Sequence, residues 1–174
     1  MTRYFMLILL LVATTASAAP PSLDVRLLET HNVVRKAAGV APLVWSATLA
    51  DDARGWARKM AQTGQFKHAP RPNGKSAQGE NLWLGTLSAF TPDNMVGAWA
   101  KEKRYYRRGR FPNVSTTGVW TDVGHYTQMI WHNTTHVGCA IARDERNEYL
   151  VCRYSPPGNW FGQDPQAVAA PKTR

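Results

Sequence analysis

A chain of 174 residues has room for one domain that buries a core without disulfide staples. Seven Trp, six Tyr and five Phe supply bulky material for that core. The formal charge of +9 favours anionic partners, such as acidic lipid, acidic glycan or nucleic acid, over basic ones, with a merely soluble basic protein as the plainer reading.

The N-terminus pairs one charge, Arg3, with an apolar run from Phe5 to Val12 and the small residues Ala16-Ser17-Ala18. That order is a cleavable secretory signal over residues 1–18. The run is too short to anchor, because a spanning helix needs about 20 apolar residues. No later segment is long and apolar enough to span, so a secreted protein is expected, extracellular or in a bacterial periplasm.

Ser22 predicts the cap of a helix to about Ala38, stopped by Gly39. Ser46 opens a second helix to about Gln62, with Gly64 past its end. Residues 65–78 read as loop and Glu80–Gly85 as an extended segment. Thr91-Pro92 is a strong helix start, with Phe90 set to staple onto Met95, and that helix is expected to reach Tyr105. A fourth helix is expected over Gly124–Trp131, then strands over 136–143 and 148–155. Val137, Cys139 and Ile141 face one way, while Gly138, Ala140 and Ala142 face the other. A strand apolar on both faces is covered on both faces. With flanking helices this predicts an α+β chain folded as a three-layer α/β/α sandwich. The domain is expected over 19–164, and residues 165–174, rich in Ala, Pro and Lys, as a fraying tail. Trp45, Trp56, Trp83 and Trp131 are expected in the core.

A turn centred on Glu145-Arg146 pairs 143 with 148 and 139 with 152. The 139:152 pair falls in a non-hydrogen-bonded position, where side chains lie closest. Export supplies an oxidising setting, so a Cys139–Cys152 disulfide is expected, the alternative being two adjacent buried thiols.

Nucleophile-elbow, zincin, phosphate-loop and dinucleotide motifs are absent. The candidates for chemistry are His68 in a polar loop, Glu80 at the start of an apolar stretch, Glu102 three residues after Trp99, and His125 opening the fourth helix. A carboxylate beside a buried Trp is costly unless partnered. Two carboxylates and two imidazoles can satisfy one another at a shared site. Taken singly, each is a surface Glu or a satisfied His, and His31, His132 and His136 read as structural.

Gly124-His125-Tyr126-Thr127-Gln128-Met129-Ile130-Trp131 and Tyr149-Leu150-Val151-Cys152-Arg153-Tyr154-Ser155-Pro156-Pro157-Gly158-Asn159-Trp160 closely resemble motifs of the CAP superfamily of cysteine-rich secretory, antigen-five and first-group pathogenesis-related proteins. His31-Asn32-x-x-Arg35, Pro42-Leu43-x-Trp45, Gly79-Glu80-Asn81-Leu82 and Trp99-x-x-Glu102 agree with them in order. The resemblance spans roughly residues 24–162. It implies a mainly antiparallel central sheet, a cleft, and a tetrad matched by His68, Glu80, Glu102 and His125. In that family the two histidines hold a divalent metal, often zinc. Some members bind sterols or fatty acids. The loop linked to sterol binding there is aromatic, whereas Arg107–Asn113 here is mainly basic, which weakens the sterol expectation.

Lys101, Lys103, Arg104, Arg107, Arg108 and Arg110 cluster at the end of the third helix. The default reading is a solvated helix end favoured by the dipole, and the second is a patch for anionic surfaces. Asn113 and Asn133 begin glycosylation sequons. Three functions follow. The first is a secreted monomer binding a divalent metal and a lipid or another cell-surface component, in defence or cell-surface interaction. The second is a metal-dependent hydrolase with Glu80 or Glu102 as base. The third is a basic module for anionic surfaces through Lys103, Arg104, Arg107, Arg108 and Arg110. No specific nucleic-acid partner is expected.

Overall fold

The computed structural model describes residues 19–70 and 77–167. The expected leader, 1–18, and residues 168–174 of the expected tail lie outside them.

Among the described residues, four α-helices and four strands form: α1 (Leu23–Ala38), β1 (Val44–Trp45), α2 (Ala47–Thr63), β2 (Gly79–Thr86), α3 (Pro92–Ala100), α4 (Gly124–Met129), β3 (His136–Arg143) and β4 (Asn147–Ser155). The starts and stops follow local chemistry. Gly39 and Gly64 adopt left-handed backbone, φ 72° and 65°, where a side chain would be strained. Ser46 accepts a hydrogen bond from the Leu49 N–H, and Thr91 and Asn94 form a reciprocal capping box. Ser22 sits at the α1 cap position, but its hydroxyl turns to Asp24 instead. The third helix loses its α geometry at Ala100 and continues as a 3-10 turn over Lys101–Tyr105. Phe90 stands edge-on against Trp83, 5.2 Å between centroids.

The sheet order is β1-β3-β4-β2, antiparallel except for the β1–β3 pair. The two-residue β1 was not expected from the sequence, because so short a strand has no periodicity. It exists because Asn32 of α1 holds both the N–H and the carbonyl of Leu43, at 2.7 and 3.1 Å, and presents the next residues to β3. The hairpin has the expected register, Arg143 opposite Glu148 and Cys139 opposite Cys152, and the two cysteines are bonded.

The two faces of the hairpin carry separate cores. Val137, Cys139, Leu150, Cys152 and Tyr154 pack with Leu27, Met95, Val96, Trp99 and Met129 from α1, α3 and α4. Ala140, Tyr149, Val151 and Leu82 pack with Ala53, Ala57 and Met60 of α2. The α/β/α sandwich is therefore as expected. Gly138 lets α2 seat directly on β3: a Cβ there would lie 2.3 Å from the Ala50 nitrogen and 2.4 Å from the Ser46 carbonyl oxygen. Of the four tryptophans expected in the core, Trp131 is fully buried, while Trp45, Trp56 and Trp83 pack at its margins. Trp99 is the second buried one.

Arg35 is fully buried and donates to the carbonyls of Ala41, Met129, Trp131 and Thr134, at 2.5 to 3.1 Å. It thereby clamps the end of α4 to α1. Pro165 and Gln166 remain tied to the domain: His132 N–H donates to the Pro165 carbonyl and the Gln166 amide to the Ala38 carbonyl. No helix among the described residues is long and apolar enough to cross a membrane.

Candidate functional site

The four candidate residues form two histidine–glutamate pairs. His68 Nδ1 donates to Glu80 Oε1 at 2.6 Å, and His125 Nδ1 donates to Glu102 Oε1 at 2.6 Å. Each Nδ1 is committed to a carboxylate, which directs the Nε2 lone pair outward.

The first pair is built where the loop after α2 meets the start of β2. Trp56 of α2 donates to the Lys67 carbonyl, next to His68, at 2.9 Å. Glu80 Oε1 also accepts from the Ala69 N–H at 3.0 Å. Opposite Glu80 on β4 stands Arg153, whose Nη2 lies 2.9 Å from Glu80 Oε2. The Glu80 carboxylate is 9% exposed, while the His68 ring is 58% exposed. A buried anion thus holds a solvent-facing imidazole.

The second pair is built on α4. Val123 offers no capping side chain, so the first amides of this short helix need an acceptor. Glu102 supplies it: Oε2 takes the N–H groups of His125 and Tyr126, at 3.0 and 3.1 Å. One carboxylate both caps α4 and orients the His125 ring. Trp99 stacks beside that ring, with centroids 5.9 Å apart and planes 16° from parallel, and its indole N–H donates to the Leu82 carbonyl. The shared face of Trp99 and Glu102, inferred from their spacing, is used in this way.

A buried chain of hydrogen bonds supports both pairs. His31 Nδ1 donates to the Leu27 carbonyl at 2.7 Å, so its Nε2 accepts from the Tyr154 hydroxyl at 2.8 Å. Asn81, adjacent to Glu80, donates to Tyr154 and to the His125 carbonyl, each at 3.1 Å. Burial pushes the His31 imidazole down to about 4, so it stays neutral. Burial likewise raises the Tyr154 phenol well above its ordinary value. The loop after β4 closes the far side of α4: Asn159 binds the Gly124 carbonyl and the Thr127 hydroxyl, and the Gly158 N–H donates to Gln128.

Arg153, Asn81 and Trp56 were not among the sequence candidates. For Arg153 a signal existed, since the hairpin register leaves a cation between Cys152 and Tyr154 that needs an anion across the sheet. Asn81 and Trp56 act through contacts that spacing does not encode. Among the described residues, the group with three donor atoms within 4.8 Å of one another is His31, Cys139 and Cys152. Its sulfurs are bonded to each other and its histidine is doubly hydrogen-bonded, so it offers no metal ligand set.

The basic run does not form a uniform free patch. Arg108 Nη2 donates to the Gln166 carbonyl at 3.1 Å and Arg110 Nη1 to the Gly162 carbonyl at 2.8 Å. Arg104 lies over the Tyr105 ring, 4.6 Å from its centroid. Lys103 and Arg107 are exposed.

Comparison with known proteins agrees with this architecture. A pathogenesis-related protein of PR-1 type from Sambucus nigra is 35% identical over 139 residues, covering 79% of this chain and 78% of that protein. Human GLIPR1-like protein 1 is 34% identical, over 90% of this chain and 69% of its own length. The crystal structure of NaASP2 with Zn2+ matches with a TM-score of 0.67 at 25% identity, covering 82% of this chain and 84% of that one. The family model of the cysteine-rich secretory proteins matches residues 28–154. The chain belongs to the cysteine-rich secretory protein (CAP) family.

Proposed function

We propose that this is a secreted CAP-domain binding protein that holds a divalent metal, zinc by preference, between His68 and His125. The observation that carries this reading is the pair of 2.6 Å Nδ1–carboxylate bonds, which leaves two imidazole Nε2 atoms as ligands with their tautomers set. The donor set fits such an ion: neutral imidazole suits zinc, and water completes a site with two protein ligands. The related NaASP2 has a crystal structure with Zn2+. A bound ion supplies a Lewis-acid point for an oxygen of a small ligand or a lipid headgroup. The names of the plant relatives point to pathogen response, which supports a role in defence or at cell surfaces.

Binding is favoured over hydrolysis by how the glutamates are used. Glu102 spends Oε1 on His125 and Oε2 on two backbone amides. Glu80 spends Oε1 on His68 and Ala69 and faces Arg153 with Oε2. Both Glu102 oxygens are thereby occupied, and Glu80 Oε2 is buried beside the Arg153 cation, which disfavours it as a base for water. Calorimetric titration of zinc into the metal-free protein tests the reading. His68→Ala and His125→Ala are each expected to weaken binding at least tenfold. Unchanged binding in both variants contradicts it.

A further inference from the structure

The basic loop and the segment that follows β4 enclose a second concavity, separate from the two histidine–glutamate pairs. Its volume is about 720 Å³ and it is lined by Arg108, Gly109, Arg110, His132, Gln163 and Asp164. That is the size range of small-ligand sites. We propose that it binds an anionic saccharide, a sugar unit carrying a sulfate, phosphate or carboxylate.

The arginines are preset for this. Each spends one terminal nitrogen on a chain carbonyl, Arg108 on Gln166 and Arg110 on Gly162, and those bonds fix the planes of the guanidinium groups. The other N–H groups remain for an oxyanion, which the planar fork of arginine matches. Two polar atoms at this end of the molecule have no partner in the described structure. His132 lines the concavity, yet its Nδ1 is buried without a hydrogen bond. The Tyr106 hydroxyl is buried and unpaired as well. Burial first, and then the Asp164 carboxylate, push the Tyr106 phenol up to about 12, with Arg108 opposing. Tyr106 lies at the same end of the molecule but outside the lining itself. Buried polar groups left unpaired are uncommon and call for a partner.

The remaining lining selects the scaffold that carries the anion. Asp164 lies 3.8 Å from Arg108 and offsets part of the positive charge, which disfavours a dense polyanion. Asp164 and Gln163 are acceptors for hydroxyl hydrogens. Trp160 and Phe161, 50% and 70% exposed, precede them in the chain and present aromatic faces to solvent, suited to the C–H faces of a sugar ring. Hydroxyl acceptors and a single oxyanion locus in the lining, with the exposed rings of Trp160 and Phe161 shortly before Gln163 in the chain, describe an acidic saccharide.

The test is calorimetry on the purified protein with a chondroitin sulfate tetrasaccharide, first at low salt and then at 0.15 M. Binding is expected under both conditions. Arg108→Ala and His132→Ala are each expected to weaken it at least tenfold, and the double variant Lys103→Ala/Arg104→Ala, outside the concavity, by no more than twofold. Tyr106→Phe, outside the lining, is expected to melt at the same or a higher temperature, because it removes an unpaired buried hydroxyl. Equal losses in the Lys103/Arg104 and Arg108 variants would overturn the proposal in favour of a general basic surface. Equal affinity for a neutral chitin tetrasaccharide, or full competition by inorganic sulfate at matched concentration, would overturn it too. So would binding to phosphatidylserine vesicles with no binding of the tetrasaccharide.

Discussion

Glu102 and His31 show how single side chains set the chemistry. Glu102 was legible as a carboxylate near a buried Trp that needed a partner. Its second task, capping α4, was not, because Val123 gives no sign at sequence level that the cap comes from a distant segment. Glu102→Gln keeps one acceptor for the α4 amides but removes the anion that orients His125. It is expected to weaken zinc binding 10–100-fold, with little change in the far-ultraviolet dichroism. His31 was read as structural, and its role is to donate to Leu27 and accept from Tyr154 while neutral. Its folded value, about 4, lies below the 6.5 of the unfolded chain. Between those values the unfolded state binds more protons, so stability falls as pH drops through that window. The effect is about 3 kcal/mol at its full extent below pH 4. Urea unfolding at half-unit steps from pH 7.5 to 4 checks this, and His31→Gln is expected to flatten the slope.

At the scale of elements, strong local signals were legible and tertiary ones were not. Gly39, Gly64, Ser46 and the Thr91-Pro92 start mark helix ends because their reasons are confined to a few residues. Turn counting around Glu145-Arg146 placed Cys139 opposite Cys152 because an antiparallel hairpin leaves no freedom once its turn is known. β1 stayed hidden because its existence depends on Asn32, which holds Leu43 from eleven residues earlier in α1. The 3-10 stretch after Ala100 stayed hidden because Lys101–Tyr105 has good helix formers, and the pull of Glu102 toward α4 is tertiary. The disulfide closes a separation of 13 residues, so its removal in Cys139→Ala/Cys152→Ala is expected to cost about 3 kcal/mol by chemical denaturation. Gly138→Ala puts a methyl group into the α2 backbone at Ala50 and Ser46. Overpacking of this kind is expected to cost about 1–3 kcal/mol and to lower the melting temperature without loss of the disulfide.

Over the whole molecule, the sandwich brings distant segments to one end, and there the candidate site divides into legible and illegible parts. His68, Glu80, Glu102 and His125 could be named because they fall at positions matching motifs of the CAP family, which spacing alone would not have singled out. Their arrangement as two separate pairs, rather than one ring of four, follows from the three-dimensional course of β2 and α4. Arg153 comes from across the sheet, and the His31–Tyr154–Asn81 chain runs through the core to the His125 carbonyl. The central claim is that both imidazoles carry their proton on Nδ1 and offer Nε2 to a metal. Long-range proton–nitrogen correlation spectra of the histidine side chains, recorded with and without zinc, test it most directly. Nδ1–H tautomers are expected for His68 and His125 in the metal-free protein, with zinc-induced shifts confined to their Nε2 resonances. Shifts at Nδ1, or no zinc-induced shift at either ring, would contradict it.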